Sequence, residues 1–147
     1  MRYGITLRKF YEFLIFMKKQ RHTNIPSAFL ILVHEHKILL WLRQNTWAYD
    51  GEWWLVSGHV DPWETFTDAI IREAKEEAGI DIITQDLSLA HVMHKKSDVD
   101  WSERVDTFFF CQHRIGEVEN KEPKKCEKLE RFGMDELPEN TCSFVRD

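Results

Sequence analysis

The chain has 147 residues, of which 43% are hydrophobic and 31% charged, with a net charge of −5. This length fits one globular domain, and the acidic balance argues against a protein that binds polymeric nucleic acid through a basic surface. The cysteines Cys111, Cys126 and Cys142 have no C-x-x-C spacing, so we expect free thiols in a reducing, cytoplasmic setting.

Residues 1–24 are interpreted as an N-terminal extension with an amphipathic helix. Leu7, Phe10, Leu14 and Ile15 recur at helical spacing among basic residues. The apolar run is too short to span a membrane and has no small-residue cleavage site, so we expect neither a membrane partner nor a signal peptide. We expect the helix to pack on the domain or on a second subunit, which would suit a homodimer; a basic helix on a membrane surface is the alternative.

From residue 25 the chain is rich in strand signals. Residues 27–33 and 37–43 are apolar runs joined by a short polar link, which predicts a hairpin. Residues 44–52 are predicted to form a loop with an Asp50-Gly51 turn, and residues 53–57 a short buried strand.

Residues 65–78 predict a helix. Apolar residues recur at spacings of three, four and seven: Ile70, Ile71, Ala74 and Ala78. Thr65 is the expected N-cap, with Asp68 completing a variant of the capping box, and Gly79 is the expected C-terminal stop.

Three carboxylates, Glu73, Glu76 and Glu77, stand close together on this helix. Like charges at helical spacing cost about 0.2–0.5 kcal/mol per pair, which a bound cation would remove. Hard oxygen ligands suit Mg²⁺ or Mn²⁺. A solvated acidic helix face is the alternative interpretation.

The remaining elements complete an α/β pattern. We expect a strand, with or without a bulge, over residues 82–95, a loop over 96–102 and a strand over 103–113. A charged loop over 116–125 and a strand over 129–134 follow. This order predicts an α/β/α sandwich around a mixed β-sheet.

One motif accounts for the carboxylates, the arginine beside them and the glycines. It reads G-x5-E-x7-R-E-U-x-E-E-x-G-U, where U is aliphatic or small, and it is filled by Gly58, Glu64, Arg72, Glu73, Ala74, Glu76, Glu77, Gly79 and Ile80. This pattern resembles the Nudix box. The resemblance implies a Nudix-type sandwich over residues 25–147 and an enzyme that uses divalent metal to cleave a diphosphate linked to another group. Nudix domains usually close with a helix, which we expect to be short or truncated here.

A second resemblance concerns the segment Glu122-Pro123-Lys124-Lys125-Cys126-Glu127 and the later Leu137-Pro138. These residues are similar to the tail of MutT-like nucleoside triphosphate diphosphatases, as is the loop from Ser57 to Asp61. Ser57 and Asp61 depart from the usual glycine and glutamate, and aromatic residues common in the tail are replaced.

The resemblance implies a role for each site residue. Glu73, Glu76, Glu77 and the backbone carbonyl of Ser57 would hold Mg²⁺, or Mn²⁺. Arg72 would orient a box glutamate, and Glu64 would brace the loop or join the outer metal shell. The general base would be Glu76 or Glu73, with Glu103 as the loop alternative.

Substrate contacts are expected from Arg43, Gly58 and Trp101. Arg43 occupies a place where related enzymes bind phosphate, although a surface arginine is an equal alternative. Base stacking has four aromatic candidates: Trp47, Tyr49, Trp53 and Trp101. Trp53 and Trp54 would face opposite sides of a strand, so we expect one of them in the core.

The leading hypothesis is metal-dependent hydrolysis of a nucleoside triphosphate, an oxidised or non-standard one included, to a monophosphate and pyrophosphate. A nucleotide sugar or a dinucleoside polyphosphate is the alternative substrate. A nucleotide-binding module without catalysis is a third hypothesis, which the complete set of box glutamates disfavours. A small-molecule nucleotide is the expected partner in each case.

Overall fold

The computed structural model describes Lys9 and residues 22–146. Within them, seven strands join one mixed sheet. Their bounds are β1 Ile25–His34, β2 Lys37–Arg43, β3 Trp53–Trp54, β4 Val56–His59, β5 Leu87–Lys96, β6 Glu103–Cys111 and β7 Cys126–Gly133. Helix α1 spans Phe66–Ala78, and the short helix α2 spans Ser143–Arg146.

Strand β1 is the centre of the sheet. It runs parallel to β6 and antiparallel to β2 and β4, while β5 lies on the outer side of β6. Strands β3 and β7 pair with β2. In this order β4, which leads into α1, lies two strands away from β6.

The two faces of the sheet carry separate cores because successive side chains of a strand point to opposite sides. Ala28, Leu30 and Leu32 of β1 pack towards α1, whose own buried residues are mainly Ala69, Ile70, Ala74 and Ala78. Phe29 of β1 faces the other side and packs with Phe108 and Phe144. Helices on both faces therefore produce the predicted α/β/α sandwich.

Both ends of α1 form as predicted. The Thr65 hydroxyl accepts from the Asp68 N–H, and the Asp68 carboxylate accepts from the Thr65 N–H. Gly79 ends the helix with φ of 68°, a left-handed conformation that favours glycine. These caps satisfy backbone groups that a helix end leaves without partners.

Several elements differ from the expected ranges. The hairpin of β1 and β2 and the bulge in β5 are confirmed, but residues 82–86 form a loop with a 3₁₀ turn at Thr84–Asp86. Strand β7 begins three residues early, at Cys126, and residues 53–59 divide into β3 and β4. The closing helix is present and short.

The expectation that one tryptophan of the pair lies in the core is wrong, since both do. Trp53 is 5% exposed and packs edge-on against Phe132, and Trp54 is 9% exposed and contacts Tyr49 and Phe144. The closing helix α2 covers the second face of the sheet. The alternation of side chains along one strand cannot reveal this covering.

The extension predicted over residues 1–24 lies almost wholly outside the described residues. Among those described, no helix has the length and apolar content needed to cross a membrane.

Candidate metal centre and substrate cleft

Strand β4 passes very close to α1 at Gly58. A Cβ atom at this position would overlap the carboxylate of Glu73, which lies against the glycine backbone. The N–H of the neighbouring Ser57 donates to Glu77 Oε2 over 3.1 Å. Gly58 therefore permits a close approach that brings a loop and two helix carboxylates together, and a side chain there would displace Glu73.

Arg72 organises the acidic residues around it. Its Nε and Nη2 donate to the two oxygens of Glu64 over 2.8 and 3.0 Å, a bidentate pair. Its Nη1 donates to Glu73 over 2.6 Å and to Glu76 over 3.3 Å, and Nη2 also reaches the carbonyl of His59. One guanidinium thus fixes the loop and two box glutamates relative to one another.

Glu64 and Arg72 stabilise each other's charged forms. The hydrogen bond from Arg72 lowers the pKa of Glu64 to about 2, and the same bond raises the pKa of Arg72. Glu64 Oε2 also accepts from the Asp61 N–H over 3.0 Å. These bonds connect the loop between β4 and α1 to the helix, and the role of Glu64 in the site stays a prediction.

Two of the helix carboxylates are costly to ionise. Burial raises the pKa of Glu77 well above its usual value, and the charge of Glu73 adds to this effect. Burial also raises the pKa of Glu73, with Arg72 opposing and Glu76 and Glu122 contributing. A cation among these groups would favour their charged forms.

The donor set fits a hard divalent cation. Glu73, Glu76 and Glu77 line the same cleft as Ser57, and all would offer oxygen ligands. Across residues 22–146 no three carboxyl, imidazole or thiol groups are gathered tightly enough to enclose an ion. Arg72 and the Ser57 N–H hold the Glu73 and Glu77 carboxylates instead.

The carboxylates stand at one end of a cleft of about 980 Å³. Arg43 also lines it, with its guanidinium 5.2 Å from the centre of the Trp54 ring and its Nε bonded to the carbonyl of Ala48. Burial lowers the pKa of Arg43, and the nearby Glu77 charge opposes this shift. The cleft therefore places a desolvated cation close to the acidic end, as phosphate binding would need.

Two expected site residues stand elsewhere. Glu103 is not among the described residues that line the cleft, and its Oε2 is bonded to His22 and His94. Trp101 is 85% exposed on the loop between β5 and β6 and is also absent from the described lining. Their catalytic and substrate-binding roles stay predictions, and these positions favour Glu73 or Glu76 as the base.

The structure adds residues that sequence reasoning did not place in the site. Glu122 lines the cleft and raises the pKa of both Glu73 and Glu77, and Lys125 binds its carboxylate over 2.7 Å. The Glu-Pro-Lys-Lys-Cys segment was a signal for both residues. Asp106 and Lys95 also line the cleft, and an acidic residue next to the apolar run of β6 was the available sign.

Comparison with known proteins agrees with this geometry. The family model described as the NUDIX domain matches residues 23–145. A curated protein of Haloferax volcanii, the low-salt glycan biosynthesis protein Agl8, is 40% identical over 52% of this chain and 51% of its own length. The chain thus spans about half the length of that relative.

Solved structures show the same fold over most of the chain. A MutT NUDIX hydrolase from Burkholderia pseudomallei superposes with a TM-score of 0.77 at 26% identity, covering 85% of this chain and 95% of that one. The MutT protein from Methanosarcina mazei Go1 gives 0.67 at 19% identity over 87% and 91% of the two chains.

Proposed function

This chain belongs to the Nudix hydrolase family, and we propose that it hydrolyses a nucleoside triphosphate to the monophosphate and pyrophosphate. One observation carries the proposal: a single cleft joins the box carboxylates to Arg43 and to an aromatic interior. A nucleotide needs these three surfaces together, because its phosphates are anionic and its base is flat and largely apolar.

The proposed metal is Mg²⁺, with Mn²⁺ as a substitute, held by Glu73, Glu76, Glu77 and the Ser57 carbonyl. When bound, it supplies charge neutralisation at the phosphates and lowers the pKa of a coordinated water. A bound cation would favour the charged forms of Glu73 and Glu77, because burial and nearby negative charges raise the pKa of both carboxyls without it.

The protein's own groups then position the reaction. Water adds its oxygen to the α- or β-phosphorus, the P–O bond of that phosphorus to the α–β bridging oxygen breaks, and the nucleoside monophosphate and pyrophosphate separate. Glu76 or Glu73 accepts the proton of the attacking water, and Arg72 keeps both carboxylates in place. Arg43 binds a phosphate oxygen in the partly desolvated cleft, where its charge acts more strongly than in water.

A nucleotide sugar is the second candidate. The relative Agl8 is described as a glycan biosynthesis protein, and the matching half of this chain shares 40% of its residues. The same metal site would cleave the diphosphate of such a compound to a nucleoside monophosphate and a sugar phosphate.

Product analysis separates the two candidates. We would incubate the protein and Mg²⁺ with triphosphates, oxidised triphosphates, nucleotide sugars and dinucleoside polyphosphates, and identify the products. Pyrophosphate from triphosphates, lost in Glu76→Gln, supports the proposal. Release of sugar phosphate alone would make a nucleotide sugar the substrate. Binding without turnover by the intact protein would indicate a nucleotide sensor.

We also propose a cytoplasmic location. The three cysteines are free and buried, and burial raises the pKa of each thiol. Such thiols persist where the compartment is reducing.

A further inference from the structure

The floor of the cleft contains a buried carboxylate that the proposed chemistry does not use. On β6, Arg104 and Asp106 line the cleft, while the residues between and beside them face away. Asp106 lies opposite Ser27 of β1 and Met93 of β5, and it is 1% exposed. A charged group in this position is expensive to bury unless it is paired and hydrogen-bonded.

Within the described part of the chain, Asp106 has an ion-pair partner but no assigned hydrogen bond. Lys95 Nζ lies 3.0 Å from Oδ2 as an ion pair, and within residues 22–146 neither carboxylate oxygen accepts an assigned hydrogen bond. Buried polar atoms in native proteins almost always have such partners. Among the described residues, Trp41 Nε1 and Thr141 Oγ1 line the same cleft and are buried without partners too.

We propose that Asp106 and Lys95 are specificity-determining residues that bind a substrate edge with two adjacent hydrogen-bond donors and a neighbouring acceptor. Guanine has this edge, with N1–H and the 2-amino group as donors and O6 as acceptor. This inference rests on the proposed function, and it identifies guanine as the base of the proposed nucleotide substrate.

The chemistry of the pair decides the class of ligand. An ionised carboxylate only accepts hydrogen bonds and can accept two in parallel, whereas an ammonium only donates. The corresponding edges of adenine, cytosine and uracil do not combine two adjacent donors with an acceptor. Phe29 and Phe144 line the cleft, and Lys95 Nζ lies 4.2 Å from the centre of the Phe144 ring. Their rings offer the flat apolar surface that base recognition uses.

Asp106 and Lys95 lie where the base of a nucleotide could bind while its phosphates contact the carboxylates of α1. Asp106 is two strands away from β4, which carries Ser57 and Gly58 to the box helix. Strand spacing makes this separation about 10 Å. One substrate can therefore reach the carboxylates of α1 with its phosphates and Asp106 with its base.

A vicinal diol also presents two adjacent donors, so a sugar is a second source of the same chemistry. The test therefore compares bases and sugars separately. GTP is compared with ITP, which lacks only the 2-amino group, and with dGTP, which lacks one hydroxyl of the diol. Loss of one hydrogen bond to a charged group predicts a kcat/KM for ITP about 10- to 100-fold below that for GTP, with dGTP close to GTP.

The variant Asp106→Asn provides the sharper test. Its amide offers one acceptor and one donor, which matches the N1–H and 2-carbonyl of xanthine. We expect its kcat/KM to fall about 10- to 100-fold with GTP and to rise with XTP, a reversal that a purely structural carboxylate would not produce. Asp81→Asn, on the exposed pair with Lys75, is the matched control and should leave the GTP-to-XTP ratio unchanged.

The other outcomes distinguish failure of the inference from failure of the proposed function. An equal loss on every base would make Asp106 structural, and a loss that follows the ribose hydroxyls would assign the pair to the sugar.

Binding of GMP, IMP and XMP, followed by tryptophan fluorescence, reports base preference without hydrolysis. If nothing is hydrolysed yet GMP still binds more tightly than IMP, the proposed function has failed and the subsite stands. If GMP and IMP bind equally and GTP and ITP are hydrolysed equally, the guanine subsite is refuted and the proposed function stands. If Asp106→Asn does not fold, the GTP-to-ITP ratio of the natural protein decides.

Discussion

Gly58 determines how closely β4 approaches the carboxylates of the proposed metal centre. Its backbone lies where any side chain would overlap the Glu73 carboxylate. The adjacent Ser57 still offers a backbone carbonyl, so the departure from glycine at that position costs no expected ligand.

We predict that Gly58→Ala lowers kcat/KM by about 100-fold, because displacing a catalytic carboxylate by about 1 Å has effects of this size. Gly133→Ala is the matched control, since its added Cβ would make only ordinary contacts with Glu136. Steady-state kinetics with Mg²⁺ provides the measurement. Equal activity of the two variants would show that Glu73 can move without consequence.

Glu77 gives the protein a pH dependence of known sign. Burial raises its pKa in the folded state, so the folded metal-free protein binds more protons than the unfolded chain as pH rises above about 4.5. The stability contributed by this group is present at lower pH and is lost as pH rises through the folded pKa.

We therefore predict that Glu77→Gln raises the Tm of the metal-free protein, and that this gain grows between pH 5 and pH 8. The glutamine oxygen can still accept from the Ser57 N–H, so the contact survives. Thermal unfolding in EDTA provides the measurement, with exposed Glu127→Gln as control. A gain independent of pH would contradict the assigned cause.

At the scale of elements, α1 works as a rigid support because both of its ends are capped. The helix presents Glu73, Glu76 and Glu77 in fixed register, and its apolar side packs against β1 and β4. Fraying of its first turn would loosen Arg72 and Glu64 only indirectly, since both are also bonded to each other.

We predict that Thr65→Ala destabilises the protein by about 1 kcal/mol, the usual cost of losing an N-cap side chain. Activity per folded molecule should change little, because Thr65 does not touch the cleft. Urea unfolding and kinetics measure the two effects, and Asp68→Asn, which keeps a carbonyl acceptor, should lose less. A large fall in activity from Thr65→Ala with normal stability would give this residue a role in the site.

At the scale of the whole molecule, the metal centre joins parts of the chain that are distant in sequence. The β4 loop, α1 and the segment containing Glu122 meet at one end of the cleft. A ligand that binds only this assembled arrangement must stabilise the fold.

We predict that Mg²⁺ raises the Tm of the protein in a concentration-dependent manner. At tenfold the dissociation constant, the stabilisation should be about 1.4 kcal/mol. Ca²⁺-free thermal scans across a Mg²⁺ titration provide the measurement, and Glu77→Gln should show a much smaller shift. An equal response in that variant would place the ion outside the box carboxylates.

The features of this protein that depend on nearby residues could be predicted from the amino-acid sequence. The caps and carboxylates of α1 depend on spacings of three and four residues, which a helix turns directly into neighbouring side chains. The hairpin of β1 and β2 is local for the same reason, and the Nudix motif identified the family because its fixed positions lie within one loop and one helix.

The set of distant residues that share the cleft became visible in the folded structure and not in the sequence. Asp106 meets Lys95 and Ser27 because β6 lies between β5 and β1, an order that depends on how the whole sheet assembles. Glu103 is one strand position away from Arg104, yet the alternation of the strand turns it from the cleft to its histidine partners. Strand order and facing direction arise from long-range packing, which short spacings in a sequence do not encode.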